Sequence, residues 1–267
     1  MNARTDPVGE ARILRSDSNG VATLTLNRPA QYNAVDGAML DAMQSSLDAI
    51  ANDASVRVVV IAGAGRAFCP GHDLKEMLAN SNEAFIGELF RRCCEAMLTI
   101  RRLPQPVIAK VHAVATAAGC QLVAACDLAV ASSEATFATS GINNGLFCGS
   151  PSVPVGRNVG SKRALDMLFT GQTIDAATAL RDGLVSRVAA PDKLDHETLA
   201  LANQIAAQPP GQIAEGKAMF HKHMEMDLVQ AYAYATEFMA GAIQSEDART
   251  GIDAFVNKKP KPKWTGR

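Results

Sequence analysis

The chain has 267 residues, with 26 Lys and Arg against 27 Asp and Glu, 48% hydrophobic and 20% charged residues. A formal net charge of −1 leaves nucleic acid and anionic membranes without an electrostatic basis as main partners. The length suits one domain, or a domain with a helical appendage, and buries a full core without disulfides.

No run approaches 18 apolar residues, so no transmembrane helix is expected. The opening "MNARTDPVGE" has no apolar stretch, so no secretory signal is expected. The six cysteines, Cys69, Cys93, Cys94, Cys120, Cys126 and Cys148, form no CxxC pair and no cluster with zinc spacing. They read as reduced residues of a cytosol-like compartment. The expected location is cytoplasmic, with the mitochondrial matrix as the alternative in a eukaryote, and no metal site is expected.

In chain order, "GVATLTLNRP" (20–29) alternates with period two and predicts a strand. The spacing over 35–53 predicts a helix with Asp36 as its N-cap. "VRVVVIAG" (56–63) is a continuous β-branched run, the pattern of a buried strand. A helix starts near Asp73. A long amphipathic helix follows over 81–103, stopped by Pro104 and Pro106. "PVIAKVHAV" (106–114) is a strand, Ala118 to Cys126 a buried helix, and "DLAVAS" (127–132) a strand. From Ser161 onward helical patterns take over, at 161–169, 175–182, 191–207, 211–224, 227–243 and 245–257. Only 184–189 is extended there, and a basic tail, "NKKPKPKWTGR", closes the chain. Strand–helix alternation argues an α/β layered fold. The expected division is a core over 1–195 and a helical region over 196–267.

Two loops offer backbone chemistry. In "GAGRAFCPGHDLKEM" (63–77), Gly71 permits a conformation closed to other residues and frees the amide of His72 to face a ligand. In "HAVATAAGC" (112–120), small residues lead into a helix whose first N–H groups have no internal partner. The amide of Ala118 there is a natural oxyanion donor. Two such donors converging make an oxyanion hole, each worth about 2.7–4 kcal/mol in the transition state. Spacing alone favours a plainer reading, two ordinary Gly-containing turns.

The order and content of four segments go further: "TLNRPAQYNAV", "GAGRAFCPGHDLKEM", "PVIAKVHAVATAAGCQLVAACDLAVAS" and "FTGQTIDAATALRDGLVSRV". Together they resemble the enoyl-CoA hydratase/isomerase, or crotonase, superfamily. The resemblance runs over essentially the whole chain, including "DARTGIDAFVNKKPKPKW". "GHDLKEM", "ATAAGCQLVAACDLAVAS" and "GLFCGSP" look closest to the group typified by enoyl-CoA hydratase domain-containing protein 3. The resemblance implies an α/β crotonase (ClpP-like) spiral of repeated ββα units, with a C-terminal helical region supporting a homotrimer or a hexamer formed as a dimer of trimers.

It also implies an acyl-CoA ligand, with coenzyme A entering as part of that ligand and no permanently bound cofactor. The thioester carbonyl maps to the backbone amides of His72 and Ala118. The nucleotide region maps to Arg66, Pro70, His72, Asp73 and Leu74, and Lys258 to a tail lysine that reaches a neighbouring subunit's ligand. Asn27, Arg28 and Asn33 match a family pattern, while Ala30 stands where a lysine is frequent. Hydratases of this family position and deprotonate water with two glutamates. Gln121 stands in the place of the first and Gly141 in the place of the second. An amide does not do a carboxylate's proton chemistry, and loss of a general base typically costs about 10²–10⁴-fold in rate. The segment "GLFCGSPSVPVG" departs from the family as well.

The side chains leave open choices. Gln121 either orients water or acyl chain, or is a satisfied buried amide. The His72 imidazole lines the site while its amide does the work, and Asp73 caps a helix and orders the loop. His112 reads as structural, and His221 and His223 as surface residues of a late helix. Cys120 reads as packing; Cys148, Ser140, Asn143, Asn144 and Ser150 supply either pocket polarity or turns. Three functions remain: thioester chemistry without the glutamate pair (decarboxylation, thioester hydrolysis or isomerisation), slow hydration through water held by Gln121, and acyl-CoA binding or regulation without turnover.

Overall fold

The structure is a computed structural model describing residues 11–266, so the reading of residues 1–10 lies outside the described residues. The chain enters through a hairpin, β1 (Ile13–Ser18) and β2 (Val21–Leu26), paired antiparallel. Asn19 and Gly20 turn it, both at positive φ, 51° and 78°, the conformation that Asn-Gly turns favour. β1 escapes a periodicity reading because only Ile13 of its residues is buried; the Asn-Gly pair was its available signal.

Asp36 then caps α1 (Gly37–Ala51), its carboxylate accepting from the Met39 N–H at 2.7 Å. β3 (Val58–Gly63) pairs parallel with β2. α2 (Leu74–Ala79), α3 (Glu83–Arg102), β4 (Val107–Val111), β5 (Ala115–Thr116) and α4 (Ala118–Ala125) follow. Next come β6 (Leu128–Ser132), β7 (Thr136–Ala138), α5 (Gly149–Asn158), α6 (Ser161–Thr170), β8 (Ile174–Asp175), α7 (Ala176–Arg181) and β9 (Arg187–Ala189). The chain closes with α8 (Leu194–Ala206), α9 (Pro210–His223), α10 (Leu228–Ala242) and α11 (Glu246–Val256).

Two sheets result, in the orders β1-β2-β3-β4-β6-β9 and β5-β7-β8. From β2 onward the larger sheet is parallel, and its strands are covered on both faces. The period-two rule sorts them: Val59 and Ile61 join the main core, while Val58 and Val60 pack with Ile108 and Val130 against Leu194, Leu201 and Ala202 of α8. The 195/196 division anticipated from the sequence falls inside the first turn of α8.

The small sheet and α5 have no counterpart in the sequence reading. Strands of two or three residues carry too little pattern, and α5 runs through Pro151 and Pro154, residues that normally argue against a helix. Ser150 therefore lies in a helix rather than a turn, and Ser140–Asn144 forms a 3₁₀ turn. Among the described residues, no helix is long and apolar enough to cross a membrane. Helix α10 has no buried residue, and Leu228, Val229, Tyr232 and Met239 are strongly exposed on it.

Candidate functional site

The site begins with what holds loop 63–73. Asn33 is fully buried in the left-handed region, φ 64°. Its Nδ2 donates to the carbonyls of Ala64 and Ala67 at 2.8 Å and of Phe68 at 3.1 Å, and its Oδ1 accepts from the Arg28 N–H at 2.9 Å. The Arg28 guanidinium donates to the Ala34 carbonyl at 2.6 Å and to Asp73 Oδ2 at 3.1 Å. Asp73 caps α2, accepting from the Lys75 and Glu76 N–H groups. Burial opposes ionisation of Asp73, but the Glu76 amide, Arg28 and the Lys75 amide outweigh it and hold the carboxyl below its ordinary range. The sequence pattern Asn27, Arg28, Asn33 is thus a set of staples: Asn27 Nδ2 ties the same turn to the Ala11 carbonyl at 3.0 Å.

The loop then runs between two strands of backbone. On one side the Val35 N–H donates to the Gly71 carbonyl, and the Asp73 N–H to the Val35 carbonyl, both at 2.8 Å. In this parallel bridge residues 71 and 73 make the bonds, so the N–H of His72 points to the opposite side. On that side the Thr116 N–H donates to the Cys69 carbonyl at 2.9 Å, and the Thr116 hydroxyl to the Pro70 carbonyl at 2.8 Å. Ala118 opens α4 as its first residue, and its N–H has no intrahelical acceptor. Neither the His72 nor the Ala118 amide has a hydrogen-bond partner among the described residues.

Two glycines bring the amides together. Gly71 has φ 114°, and a Cβ on it would lie 2.9 Å from Ala117 Cβ and 3.3 Å from the Ala118 nitrogen. A Cβ on Gly119 would lie 2.0 Å from the Cys69 carbonyl oxygen, so α4 sits backbone to backbone on the loop. Gly119→Ala is therefore expected to force α4 off the loop. Overpacking costs about 1–3 kcal/mol, which lowers Tm by several degrees in a domain of this size. A thermal melt checks it; an unchanged Tm counts against this contact. Ala117 itself takes φ 48°, ψ −117°, with its N–H on the Ala138 carbonyl at 2.9 Å.

Gln121, Thr139 and His72 sit on three segments that meet at this helix end. Gln121 is 2% exposed and Thr139 is 0% exposed. Gln121 Oε1, Thr139 Oγ1 and His72 Nε2 are buried without a hydrogen-bond partner. The described residues thus supply no donor to Gln121 Oε1. The His72 ring packs edge-on against Phe90, centroids 5.0 Å apart. Burial pushes its pKa down to about 4, so the imidazole is neutral near pH 7. Thr139 was missed; a lone Thr in "FATSGINNG" has no local signal, since chain topology brings it here.

Position 141 is closed by its neighbours. The Gly141 N–H donates to Cys148 Sγ at 3.2 Å, and a Cβ on Gly141 would meet the Leu146 carbonyl oxygen at 2.5 Å and Cys148 Sγ at 2.8 Å. Burial pushes the Cys148 thiol up, against a downward pull from the Gly141 N–H. Cys120 is fully buried and pushed up to about 12 by desolvation, which fits packing rather than nucleophilic attack.

The outer residues are less gathered. Arg66 is exposed, with its guanidinium 5.9 Å from the Tyr32 ring centroid. Pro70 gives its carbonyl to Thr116, and Leu74 is exposed. Lys258 lies just past α11, at φ 52°. The tail instead turns back under α8 and α11: Trp264 Nε1 donates to the Ala207 carbonyl at 2.9 Å, and the Thr265 and Gly266 N–H groups to Asp247. A cleft of about 490 Å³ lies there, lined by Arg57, Gln105, Ile213 and Trp264. It borders neither α4 nor loop 69–73, so this cleft and the free amides lie in different places. The free amides of His72 and Ala118 decide for the α4 end.

Two histidines expected to be incidental have partners. His112 Nε2 lies 3.0 Å from the Gly65 carbonyl, a structural contact as anticipated. His221 was read as a surface residue, but its Nε2 lies 3.3 Å from Asp127 Oδ1. Beside it Lys217 Nζ donates to Asp127 Oδ2 at 2.6 Å and to the carbonyls of Ile100 and Gln105. Among the described residues, no group of three His, Cys, Asp or Glu is placed to hold a metal.

Comparison with known proteins bears on this arrangement. A family model described as enoyl-CoA hydratase/isomerase matches residues 16–267. "Enoyl-CoA hydratase domain-containing protein 3, mitochondrial" of Rattus norvegicus is 41% identical over 260 residues, covering 97% of this chain and 86% of that protein. A crystal structure of an enoyl-CoA hydratase from Mycobacterium smegmatis superposes with a TM-score of 0.93 at 50% identity, covering 95% of this chain and 99% of the other. That of human enoyl-CoA hydratase domain-containing protein 3 gives 0.92 at 39% identity, covering 94% and 99%. The architecture described above is the crotonase fold.

Proposed function

The chain belongs to the enoyl-CoA hydratase/isomerase family, and on that premise we propose that it binds an acyl-CoA thioester with its carbonyl oxygen between the amides of His72 and Ala118. One observation carries the reading: two partnerless N–H groups, on segments that Gly71 and Gly119 allow to touch. Such donors stabilise an enolate or tetrahedral oxyanion, because they are fixed before charge develops. The Arg28–Asp73 pair keeps the loop rigid, which favours the same role.

What is absent narrows the chemistry. Gln121, Gly141, a neutral His72 and a Cys148 thiol provide no carboxylate to activate water. The proposed activity is thioester chemistry that relies on the oxyanion donors, with ordinary hydration weak or missing. A second reading, acyl-CoA binding without turnover, is favoured by the same uncharged set. Arg66 and, from a neighbouring subunit, Lys258 are proposed to meet the nucleotide phosphates. The exposed apolar residues of α10 support a homotrimer, alone or paired into a hexamer. Six free cysteines support a reducing compartment.

Isothermal titration with coenzyme A and acetyl-CoA tests the premise. Saturable binding of both is expected, tighter for the thioester. Absence of binding by either ligand sinks the proposal.

A further inference from the structure

We propose that residues 264–266 form a latch held by charge: the buried Asp247 carboxylate clamps them over the cleft between α1, α8 and α9, and loss of that charge opens them as a unit while the fold beneath stays intact. The inference is independent of the thioester reading.

The sequence leaves this segment without bonds of its own. Pro260 and Pro262 have no N–H, and residues 259–266 join no helix or strand. Backbone donors outside a helix or ladder must find side chains or water. Here both oxygens of one carboxylate serve. Asp247 Oδ1 accepts from the Thr265 N–H at 2.7 Å and from the Thr265 hydroxyl at 3.1 Å, and Oδ2 accepts from the Gly266 N–H at 2.8 Å. Asp247 is 3% exposed. It lies in the first turn of α11, where the helix dipole favours a negative charge. Burial opposes its ionisation, but the Thr265 and Gly266 amides, the Thr265 hydroxyl and the charge of Arg57 outweigh it and hold the carboxyl below its ordinary range. Other charges stand close by: Glu246 Oε2 lies 3.5 Å from the Thr265 hydroxyl, and Lys261 Nζ lies 5.4 Å from the Trp264 ring centroid. From α8 and α9 the latch is met by uncharged residues, Ala207, Pro210 and Gly211.

Little else holds the segment. Trp264 Nε1 donates to the Ala207 carbonyl at 2.9 Å, and its ring lies against Gly251, where a Cβ would stand 3.1 Å from Cη2. The Gly266 carbonyl lies against Gly211, where a Cβ would stand 3.1 Å from its oxygen. These residues thus tie together the end of α8, the start of α9 and α11, and they form one wall of the cleft that Arg57 and Gln105 line. Among the described residues, no backbone hydrogen bond joins 260–263 to the rest of the chain. Docking therefore rests on 264–266 and on the contact of Lys261 Nζ with Gln208 Oε1 at 3.5 Å. A segment with so few bonds opens locally, at a lower free energy than global unfolding.

The chain's single tryptophan stands on the latch, so its emission reads the closed state. In the full-length protein near neutral pH, Asp247→Asn keeps the shape but removes the charge and one acceptor oxygen. Its Trp264 emission is expected to shift to the red and to become more open to quenching by acrylamide, with the far-UV circular dichroism of the wild type. Amide hydrogen exchange at Thr265 and Gly266 is expected to be at least about tenfold faster than in the wild type, the weight of one charge-assisted hydrogen bond. Unchanged emission and exchange overturn the latch. So does loss of helical signal in step with Trp264 exposure, because the segment would then belong to the global fold. The wild type supplies a check that needs no variant. Its Thr265 and Gly266 amides are expected to exchange faster than those of β3, at a rate that low denaturant leaves unchanged. Exchange at the β3 rate overturns the latch as well.

Discussion

Crotonyl-CoA should be hydrated at least about 10²–10⁴-fold more slowly by this protein than by a relative carrying glutamate at the positions of Gln121 and Gly141, the usual deficit when a positioned general base is missing. A spectrophotometric hydration assay reads this directly, and rates usual for the family would refute it. The structure also separates the two positions. Gln121→Glu changes shape little, but it places a carboxyl at a site that is 2% exposed. Desolvation raises the pKa of such a group above its unfolded value. The variant should therefore match wild-type stability below about pH 4, where the acid is neutral in both states, and lose stability as pH rises through the folded pKa.

Gly141→Glu is a different matter. Its Cβ would collide with the Leu146 carbonyl and with Cys148 Sγ, so the segment 140–148 must be rebuilt before any carboxylate faces the pocket. The double variant is expected to melt below the wild type and to gain no hydration at family rates. A stable double variant with restored hydration would overturn both this prediction and the view that the second position is sterically closed.

Asp127→Ala is expected to be the most destabilising single change. Lys217 keeps only 7% of its side chain exposed and has Asp127 as its counterion. Asp127 also accepts the Val107 N–H at 2.7 Å and faces His221. Removing one partner of a buried pair costs about 3–5 kcal/mol, because the other charge stays buried alone; for a domain of this size that is a Tm lower by roughly 6–20 °C. The same change loosens α9, which carries Lys217 and His221 and meets the core here through charge. Adding Lys217→Met to Asp127→Ala should recover much of the loss. Additive losses in the double variant would show that the two residues do not act as a pair.

How much of this was legible in the sequence follows from where each signal is stored. β2, β3 and β4, and helices α1, α3 and α6 to α11, are written in local periodicity, caps and breakers, and Asp36 caps where its spacing says. β1 is polar on its exposed residues, and β5, β7 and β8 are too short to show a period, so only pairing reveals them. His72, Ala118 and Gln121 stood out because glycines and a helix start flag them locally. Thr139 did not, because its place beside α4 depends on β7 pairing with β5. The same holds for His221, whose partner Asp127 lies 94 residues away. Local chemistry is visible in a string of letters, whereas juxtaposition is not.

The closed turn at Gly141 also has a genetic meaning. Glutamine codons stand one base from glutamate codons, and so do half of the glycine codons. With a GGA or GGG codon at Gly141, two point mutations separate this protein from a carboxylate pair. Yet the Cys148 sulfur and the Leu146 carbonyl fill the space the second carboxylate needs, so the shortest mutational path leads through a clashing intermediate. Shrinking residue 148 clears the sulfur but leaves the Leu146 carbonyl, so either order must also rebuild the turn. Within its lineage, therefore, the state of this turn is easy to keep and hard to leave.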